Sequence, residues 1–486
     1  MSPKSVTSFF LNRDVCGKVG TNTFKLGAMS EHGSSRRDLL KAAGATGLAM
    51  SGLPALAADQ GGPRRGRDQR SAAGLVAPKL DKVRVGFIGV GARGSGHVAQ
   101  MMLLEGVEVI AIADNHLPSA QASAARCVKA GRKAPELYTN GERDYQRMLA
   151  RNDIDIVVIS TPWKWHAPMA IDAMNAGKHA FIEVPAATTV EDCWRLVDTA
   201  EKTQRHCMML ENVNYGREEL LVLNMCRQGL LGELLHGEAA YIHDLRSQMH
   251  EIDHGTGSWR TYEYTKRNGN LYPTHGLGPV AQYMNINRGD RLDFLCSVSS
   301  PARSRALYAE EKFPAAHERR TLKFTAGDIN TSIVKTVLGK TIMIQWDEQL
   351  PRPYNRLNLI QGTRGIWAGF PDRLAIEGDG RSADDWIEGE ALKPYYEKYE
   401  HPLYKRMGEE AKKNGGHGGM DFLMLWRLVY CLRNGLPMDQ DVYDAATWSV
   451  IGPLSEKSVA NRGRSTDIPD FTRGEWKTMT PLGIAS

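Results

Sequence analysis

From residue 83 onward, short β-branched apolar runs alternate with longer stretches of helical period. The run V-R-V-G-F-I at 83–88 has the composition of a strand buried on both faces, and V-E-V-I-A-I-A at 107–113 repeats it. Further strands are predicted at 154–160, 179–184 and 207–210, with helices over 95–104, near 168–176 and over 190–204. Strands that alternate with helices at this spacing predict an α/β fold, a doubly wound parallel sheet over 80–229. In such sheets ligands lie beyond the carboxyl ends of the strands.

After about residue 230 the pattern changes. Segments 234–244, 320–325, 331–338 and 341–347 have the pattern of longer strands joined by turns, without regular intervening helices. They predict an α+β domain over 230–486 with a largely antiparallel open sheet, one face covering a site and the other available for contact with a second copy of the chain. Residues 390–486 are more helical and are expected to brace the two units.

The chain carries a formal charge of +5, and seven of its 61 basic residues fall within residues 1–57 against three acids. The remaining body is nearly neutral and lacks the charge excess of a nucleic-acid binder. No stretch of about 20 apolar residues is present to span a membrane. Residues 35–41 read S-R-R-D-L-L-K, followed by a small apolar run and A-L-A at 55–57. The order resembles a twin-arginine export signal, so residues 1–57 are expected to address the protein to the periplasm through the twin-arginine machinery. Met29 offers an alternative start, and residues 58–79, rich in Gly, Pro, Arg and Ala, are expected to form a flexible linker. The seven cysteines are scattered and form no C-x-x-C, and no H-E-x-x-H spacing is present, so no metal site is expected.

Gly89, Gly91 and Gly94 complete G-x-G-x-x-G between the first strand and its helix, the arrangement that lets a pyrophosphate approach backbone N–H groups at a helix start. Asp114 ends the second strand about twenty residues later, where a carboxylate accepts ribose hydroxyls and repels a 2′-phosphate, which favours NAD over NADP. Three segments follow later strand ends: 161–166 (T-P-W-K-W-H), 183–185 (E-V-P) and Glu211-Asn212. They are expected around the nicotinamide half, although Trp163 and Trp165 could simply pack and His166 could cap a helix. In the second unit, residues suited to grip a sugar are Tyr241, His243, Asp244, Arg246, Arg260, the quartet Tyr272-Pro273-Thr274-His275, Tyr354, and the segment from His417 to Asp421.

These motifs together resemble the glucose-fructose oxidoreductase and inositol dehydrogenase superfamily, and within it glycoside hydrolase family 109, the NAD-dependent α-N-acetylgalactosaminidases. The resemblance spans residues 80–475 and is carried by G-V-G-A-R-G (89–94), P-W-K-W-H (162–166), L-E-N-V (210–213), H-D-L-R (243–246), N-G-N-L-Y-P-T-H-G-L-G-P (268–279), R-P-Y-N (352–355), G-G-H-G-G-M-D (415–421), D-V-Y-D-A-A-T-W (441–448) and P-L-S-E-K-S (453–458). It implies that Ala92, Arg93, Asp114, Trp163, Lys164, Trp165, His166, Glu183, Val184 and Asn212 contact NAD, and that Tyr241, Arg260, Tyr272, Pro273, Thr274, His275 and Tyr354 contact the sugar. Dehydrogenase members of the superfamily commonly carry E-K-P where this chain has Glu183-Val184-Pro185. Valine cannot move a proton, which argues against an ordinary sugar dehydrogenase. Lys164 stands where members of the family often have glutamate.

The implied activity is hydrolysis of terminal α-linked N-acetylgalactosamine through oxidation at C3, elimination across C1 and C2, addition of water and reduction. His275 and Tyr272 are the candidates for proton handling, with Arg260 offsetting enolate charge. The alternatives are a periplasmic sugar or cyclitol dehydrogenase, a glycosidase of the same mechanism with another sugar or anomer preference, and a binding protein that keeps NAD as a structural ligand.

Overall fold

In the computed structural model, which describes residues 63–382, 384–481 and 484, the glycine motif joins the first strand to the first helix. Strand β1 (Val83–Ile88) lies at the centre of a six-stranded sheet with β2 (Val107–Ala113), β3 (Glu136–Tyr138), β4 (Ile156–Ile159), β5 (His179–Ile182) and β6 (Cys207–Met209). All pairings are parallel, in the order β3-β2-β1-β4-β5-β6. The order reverses between β1 and β4, and the crevice at their carboxyl ends is where such a sheet binds its ligand. Helices α1 (Ala92–Met101), α2 (Leu117–Lys129), α3 (Tyr145–Leu149), α4 (Trp163–Asn175) and α5 (Val190–Thr203) make the crossovers. The near-continuous burial of β1, β4, β5 and β6 explains why their runs are apolar without alternation. Strand β3, only three residues with an exposed glutamate, gives no such run and is not legible in the sequence.

A nine-stranded sheet follows, built from β7 (Leu234–Ile242), β8 (Leu292–Ser299), β9 (Asn330–Thr336), β10 (Thr341–Asp347), β11 (Leu359–Gly362), β12 (Gly365–Ala368), β13 (Arg373–Ile376), β14 (Ile387–Glu388) and β15 (Thr466–Asp467). Its order is β14-β13-β12-β11-β7-β10-β9-β8-β15, and every pair is antiparallel except β7 with β10. Helix α6 (Arg217–Arg227) precedes β7, whereas α7 (Thr256–Glu263), α8 (Thr274–Tyr283) and α9 (Ser304–Lys312) are set among these strands, contrary to the expectation of turns without regular helices. Gly276 explains why α8 escapes a pattern search: a Cβ there would stand 2.3 Å from the Ala240 nitrogen, so the helix lies flat on β7 through small residues. The expected strand at 320–325 is instead the end of a 3-10 turn (Glu318–Arg320) and a loop. Arg319 is buried there with its guanidinium on the Glu251 carbonyl, and the backbone of Thr325 and Ala326 bonds the Tyr264 carbonyl instead of a neighbouring strand.

The C-terminal region is helical as expected, with α10 (Lys393–Tyr399), α11 (Pro402–Asn414), α12 (Met420–Asn434), α13 (Val442–Ser449) and α14 (Ile451–Ala460). Helix α12 packs on α1 and β1, α13 on α5 and β6, and α14 on β8, so these helices tie the two sheets together. Residues 63–79, expected as part of a flexible linker, run along this seam. Arg65 donates to Glu201 at 2.9 Å and to the Tyr443 hydroxyl at 3.2 Å, and Gln69 donates to Asp198 at 3.1 Å. The expected twin-arginine region lies outside the described residues, among which no helix is long and apolar enough to cross a membrane.

Candidate active site

The glycine turn is shaped for a dinucleotide. Gly89 has φ +80°, and a Cβ at Gly94 would lie 2.0 Å from the Gly89 carbonyl oxygen, so turn and helix fit only without side chains. At Gly91 a Cβ would meet nothing closer than 3.9 Å, which leaves the backbone approachable. Gly91 caps α1 without a side-chain bond, and no acid stands in the helix's first turn, so its N–H groups are free to face phosphate. Asp114 accepts from the backbone N–H of Val90 at 2.7 Å and of His116 at 2.8 Å. Its carboxylate is thereby fixed beside the turn with lone pairs remaining for ribose hydroxyls.

The expected nicotinamide-side residues divide between the cleft and its supports. Arg93, on α1, joins the segment after β5 to α12, with Nε on Glu183 at 2.6 Å and its two terminal nitrogens on Asp421 at 2.6 and 2.8 Å. His97 adds a 2.6 Å contact to Glu183, and Asn212 donates to Asp421 at 2.7 Å. The Arg93 guanidinium holds the Glu183 carboxyl well below the usual carboxylate range, and His417 and Arg93 do the same for Asp421, in both cases against the cost of burial. Asp421, grouped by its sequence with the sugar residues, is thus an anchor for the cofactor-side helix. His166 is buried with each ring nitrogen 2.7 Å from a carbonyl oxygen, of Pro185 and of Thr161, and it ties the Glu183-Val184-Pro185 segment to the end of β4. Burial lowers its pKa. Trp163 is buried, whereas Lys164 is exposed with its ammonium 5.6 Å from the Trp165 ring.

The expected sugar residues converge on the same edge. Tyr241 is the penultimate residue of β7, and its ring lies 4.8 Å from Tyr272, 5.2 Å from His275 and 6.0 Å from Tyr354. Tyr272 and Pro273 precede α8, Thr274 is fully buried in its first turn, and His275 follows. Arg260, on α7, packs its guanidinium 4.8 Å from the Trp163 ring and 5.0 Å from Tyr272. That contact joins the sugar residues to the first residue of α4. Burial pushes the Tyr241 and Tyr272 hydroxyls far above the ordinary phenol value, so both are neutral donors at neutral pH. Tyr354, 38% exposed, stands at the outside and accepts from Arg356 at 2.9 Å.

Two carboxylates complete the arrangement: Glu211, expected on the nicotinamide side, and Glu348, which the sequence does not single out. Glu211, fully buried at the end of β6, lies 2.6 Å from His275 Nδ1. Glu348 accepts from Arg260 at 3.4 Å and from the Tyr264 hydroxyl. The strand-end position of L-E-N-V signals Glu211, but its partner on α8 is visible only in three dimensions. Glu211 Oε2, Asn212 Oδ1 and Arg260 Nε are buried with no protein partner. An unpaired buried polar atom costs roughly 1–3 kcal/mol, so three of them in one cleft suit a site completed by ligand.

Comparison with known proteins agrees with this reading. Residues 83–211 match the family model described as oxidoreductase family, NAD-binding Rossmann fold, and residues 215–478 match that of glycosyl hydrolase 109, C-terminal domain. NAD is therefore the dinucleotide of this cleft. Levoglucosan dehydrogenase in complex with NADH superposes with a TM-score of 0.60 at 19% identity, over 80% of this chain and 100% of that one. An NAD-binding oxidoreductase from Klebsiella pneumoniae gives 0.61 at 16% identity, over 80% and 99%. At that identity both establish the shared fold alone. A glycosyl hydrolase family 109 protein from Shewanella putrefaciens is 62% identical over 457 residues, covering 93% of this chain and 99% of the relative. The chain belongs to glycosyl hydrolase family 109.

Proposed function

We propose that this glycoside hydrolase releases terminal α-linked N-acetylgalactosamine by oxidation, elimination, addition and reduction. The observation that carries the reading is the His275–Glu211 pair, at 2.6 Å, inside a ring of Tyr241, Tyr272 and Arg260 at the edge of the dinucleotide cleft. Among the described residues, four buried carboxylates around this cleft have side-chain partners: Glu183 with Arg93 and His97, Glu211 with His275, Glu348 with Arg260 and Tyr264, and Asp421 with Arg93, His417 and Asn212. NAD-dependent glycosidases are an exception to the usual two-carboxylate route.

Bound NAD supplies a reversible two-electron sink at sugar C3. With C3 at the ketone level, the hydrogen on C2 becomes acidic, and His275, its Nδ1 side fixed by Glu211, accepts that proton through Nε2. Arg260 and the Tyr272 hydroxyl offset the enolate charge, and the group on C1 departs. The departing oxygen takes a proton from solvent, Tyr241 and Tyr354 orient the ring while water adds its hydroxyl to C1, and His275, its proton exchanged with solvent, protonates C2. Val184, in place of a lysine, makes no proton transfer.

Incubation of the purified protein in heavy water with aryl glycosides, with no nucleotide added, tests the route. The expected result is release of α-linked N-acetylgalactosamine carrying deuterium at C2. Sugar released without deuterium overturns the elimination. Accumulation of NADH in place of hydrolysis supports the dehydrogenase alternative, and retention of sugar without turnover supports the binding protein. Preference for another sugar or anomer overturns the assigned substrate alone.

Two further expectations stand as proposals. Residues 35–57 support export to the periplasm on sequence alone. The outer face of the second sheet, where Cys296, Ile333, Met343 and Glu238 lie in register across four strands, is proposed to pair with a second copy of the chain.

A further inference from the structure

His116 and His254, 138 positions apart, stack with ring centroids 4.0 Å apart and planes inclined by 21°. His116 follows β2, and its backbone N–H is one of the two donors to Asp114. Its Nδ1 lies 2.8 Å from the Ser119 hydroxyl, which lies 3.3 Å from His254 Nε2. The same edge of His254 faces the glycine turn, since the atoms nearest to a Cβ on Gly91 are its Cε1 and Nε2, both at 3.9 Å. An exposed residue of the sugar-side half of the chain therefore closes over the two features that receive the dinucleotide, the open glycine and the ribose carboxylate.

The loop that presents His254 is held at both ends. Arg319 donates to the Glu251 carbonyl at 3.0 Å, the Glu251 carboxylate accepts from the Gly257 N–H at 2.6 Å, and the Ser258 hydroxyl donates to the Gly255 carbonyl at 2.7 Å. Gly255, with φ +100°, turns the chain into α7, one turn along which Arg260 packs on Trp163. One short segment thus touches the glycine turn at one end and the aromatic sugar site at the other.

We propose that the His116–His254 stack is a clasp on the cofactor cleft, which must part before NAD enters or leaves and which sets how long NAD is retained. The proposal rests on NAD binding and is independent of which sugar is cleaved. A clasp suits a reaction that returns its cofactor unchanged, because exchange then serves no purpose in turnover. Both contacts are non-covalent and reachable by solvent, so the clasp slows exchange without making it irreversible.

The test follows exchange of the bound nucleotide in the purified full chain against isotope-labelled NAD, read by mass spectrometry over time, with thermal unfolding of each variant as the folding control. His254→Ala and His116→Ala are expected to exchange at least fivefold faster than the parent, and His254→Phe, which keeps a flat ring on His116, to restore slow exchange. Acceleration of less than fivefold in both alanine variants overturns the clasp, as does slower exchange in His254→Ala. Exchange in His254→Phe as fast as in His254→Ala overturns the stack as its cause. A parent protein that carries no nucleotide and takes none up overturns NAD binding itself, an outcome distinct from unchanged exchange in a loaded protein.

Discussion

His275 and Glu211 are 64 positions apart in sequence, yet Nδ1 of one lies 2.6 Å from Oε1 of the other. The carboxylate fixes the proton on Nδ1 and leaves Nε2 free as a base, the logic by which a buried acid orients a catalytic imidazole. His275→Ala is expected to lower turnover roughly 10²- to 10⁴-fold. Glu211→Gln, which can present its amide to Nδ1 and select the wrong tautomer, is expected to lower kcat by about 10²-fold or more with little change in bound NAD. Turnover of aryl glycosides and nucleotide content per chain check both. A loss below threefold in folded, loaded His275→Ala removes it from proton transfer.

The Arg93 node gives a second prediction. Arg93→Met leaves the Glu183 and Asp421 carboxylates buried with only their His97, His417 and Asn212 contacts, at an expected cost of about 2 to 4 kcal/mol, less than for a fully dry pair because the Arg93 side chain is 30% exposed. In the parent these two carboxyls ionise below their unfolded values, so their stabilisation is present above about pH 4 and is lost as pH falls below it. The variant should lose the share of that acid-side dependence that Arg93 supplies, while His97 and His417 retain the remainder. Urea unfolding at pH 4 and pH 7 checks it, and equal stability of parent and variant at pH 7 excludes a structural role for the ion pairs.

The Rossmann half was legible because its strands are buried on both faces and its turn chemistry is local: the glycines, Asp114 and the strand-end segments lie within one βαβ pattern. The sugar-side quartet was legible as a glycine-bounded polar loop. What the sequence did not disclose were pairings over long separations. Glu211 with His275, Arg93 with Asp421, and His116 with His254 each join elements whose contact is set by packing, and no periodicity reports it. Helix α8 was hidden for a related reason, since the small residues that let it lie on β7 remove the apolar stripe by which helices are recognised.

Pairing through the open sheet makes a third prediction. Ile333 is 47% exposed in the middle of the face, opposite Met343 and Cys296 in register. Ile333→Arg places a charge at the centre of the proposed interface without disturbing the monomer core, so it should shift sedimentation from dimer toward monomer at unchanged thermal stability of the monomer. A parent that sediments as a monomer at micromolar concentration overturns the pairing.

A fourth prediction concerns Glu218, near the start of α6. Burial and the neighbouring Glu219 carboxylate push its carboxyl up to about 7, while the Tyr396 hydroxyl is shared between it, at 3.5 Å, and Asp372, at 3.2 Å. The folded-state value lies above the unfolded value of about 4.3, so the fold binds this proton more tightly than the unfolded chain does. Stability from this group is full below about pH 4.3, is lost as pH rises from there to about 7, and is flat above. Glu218→Gln removes the titration. Its unfolding temperature should exceed the parent's by roughly 1 to 3 °C at pH 8 and by much less at pH 5. Scanning calorimetry at the two pH values decides the matter, because a gain of equal size at both leaves no room for an elevated carboxyl in the folded protein.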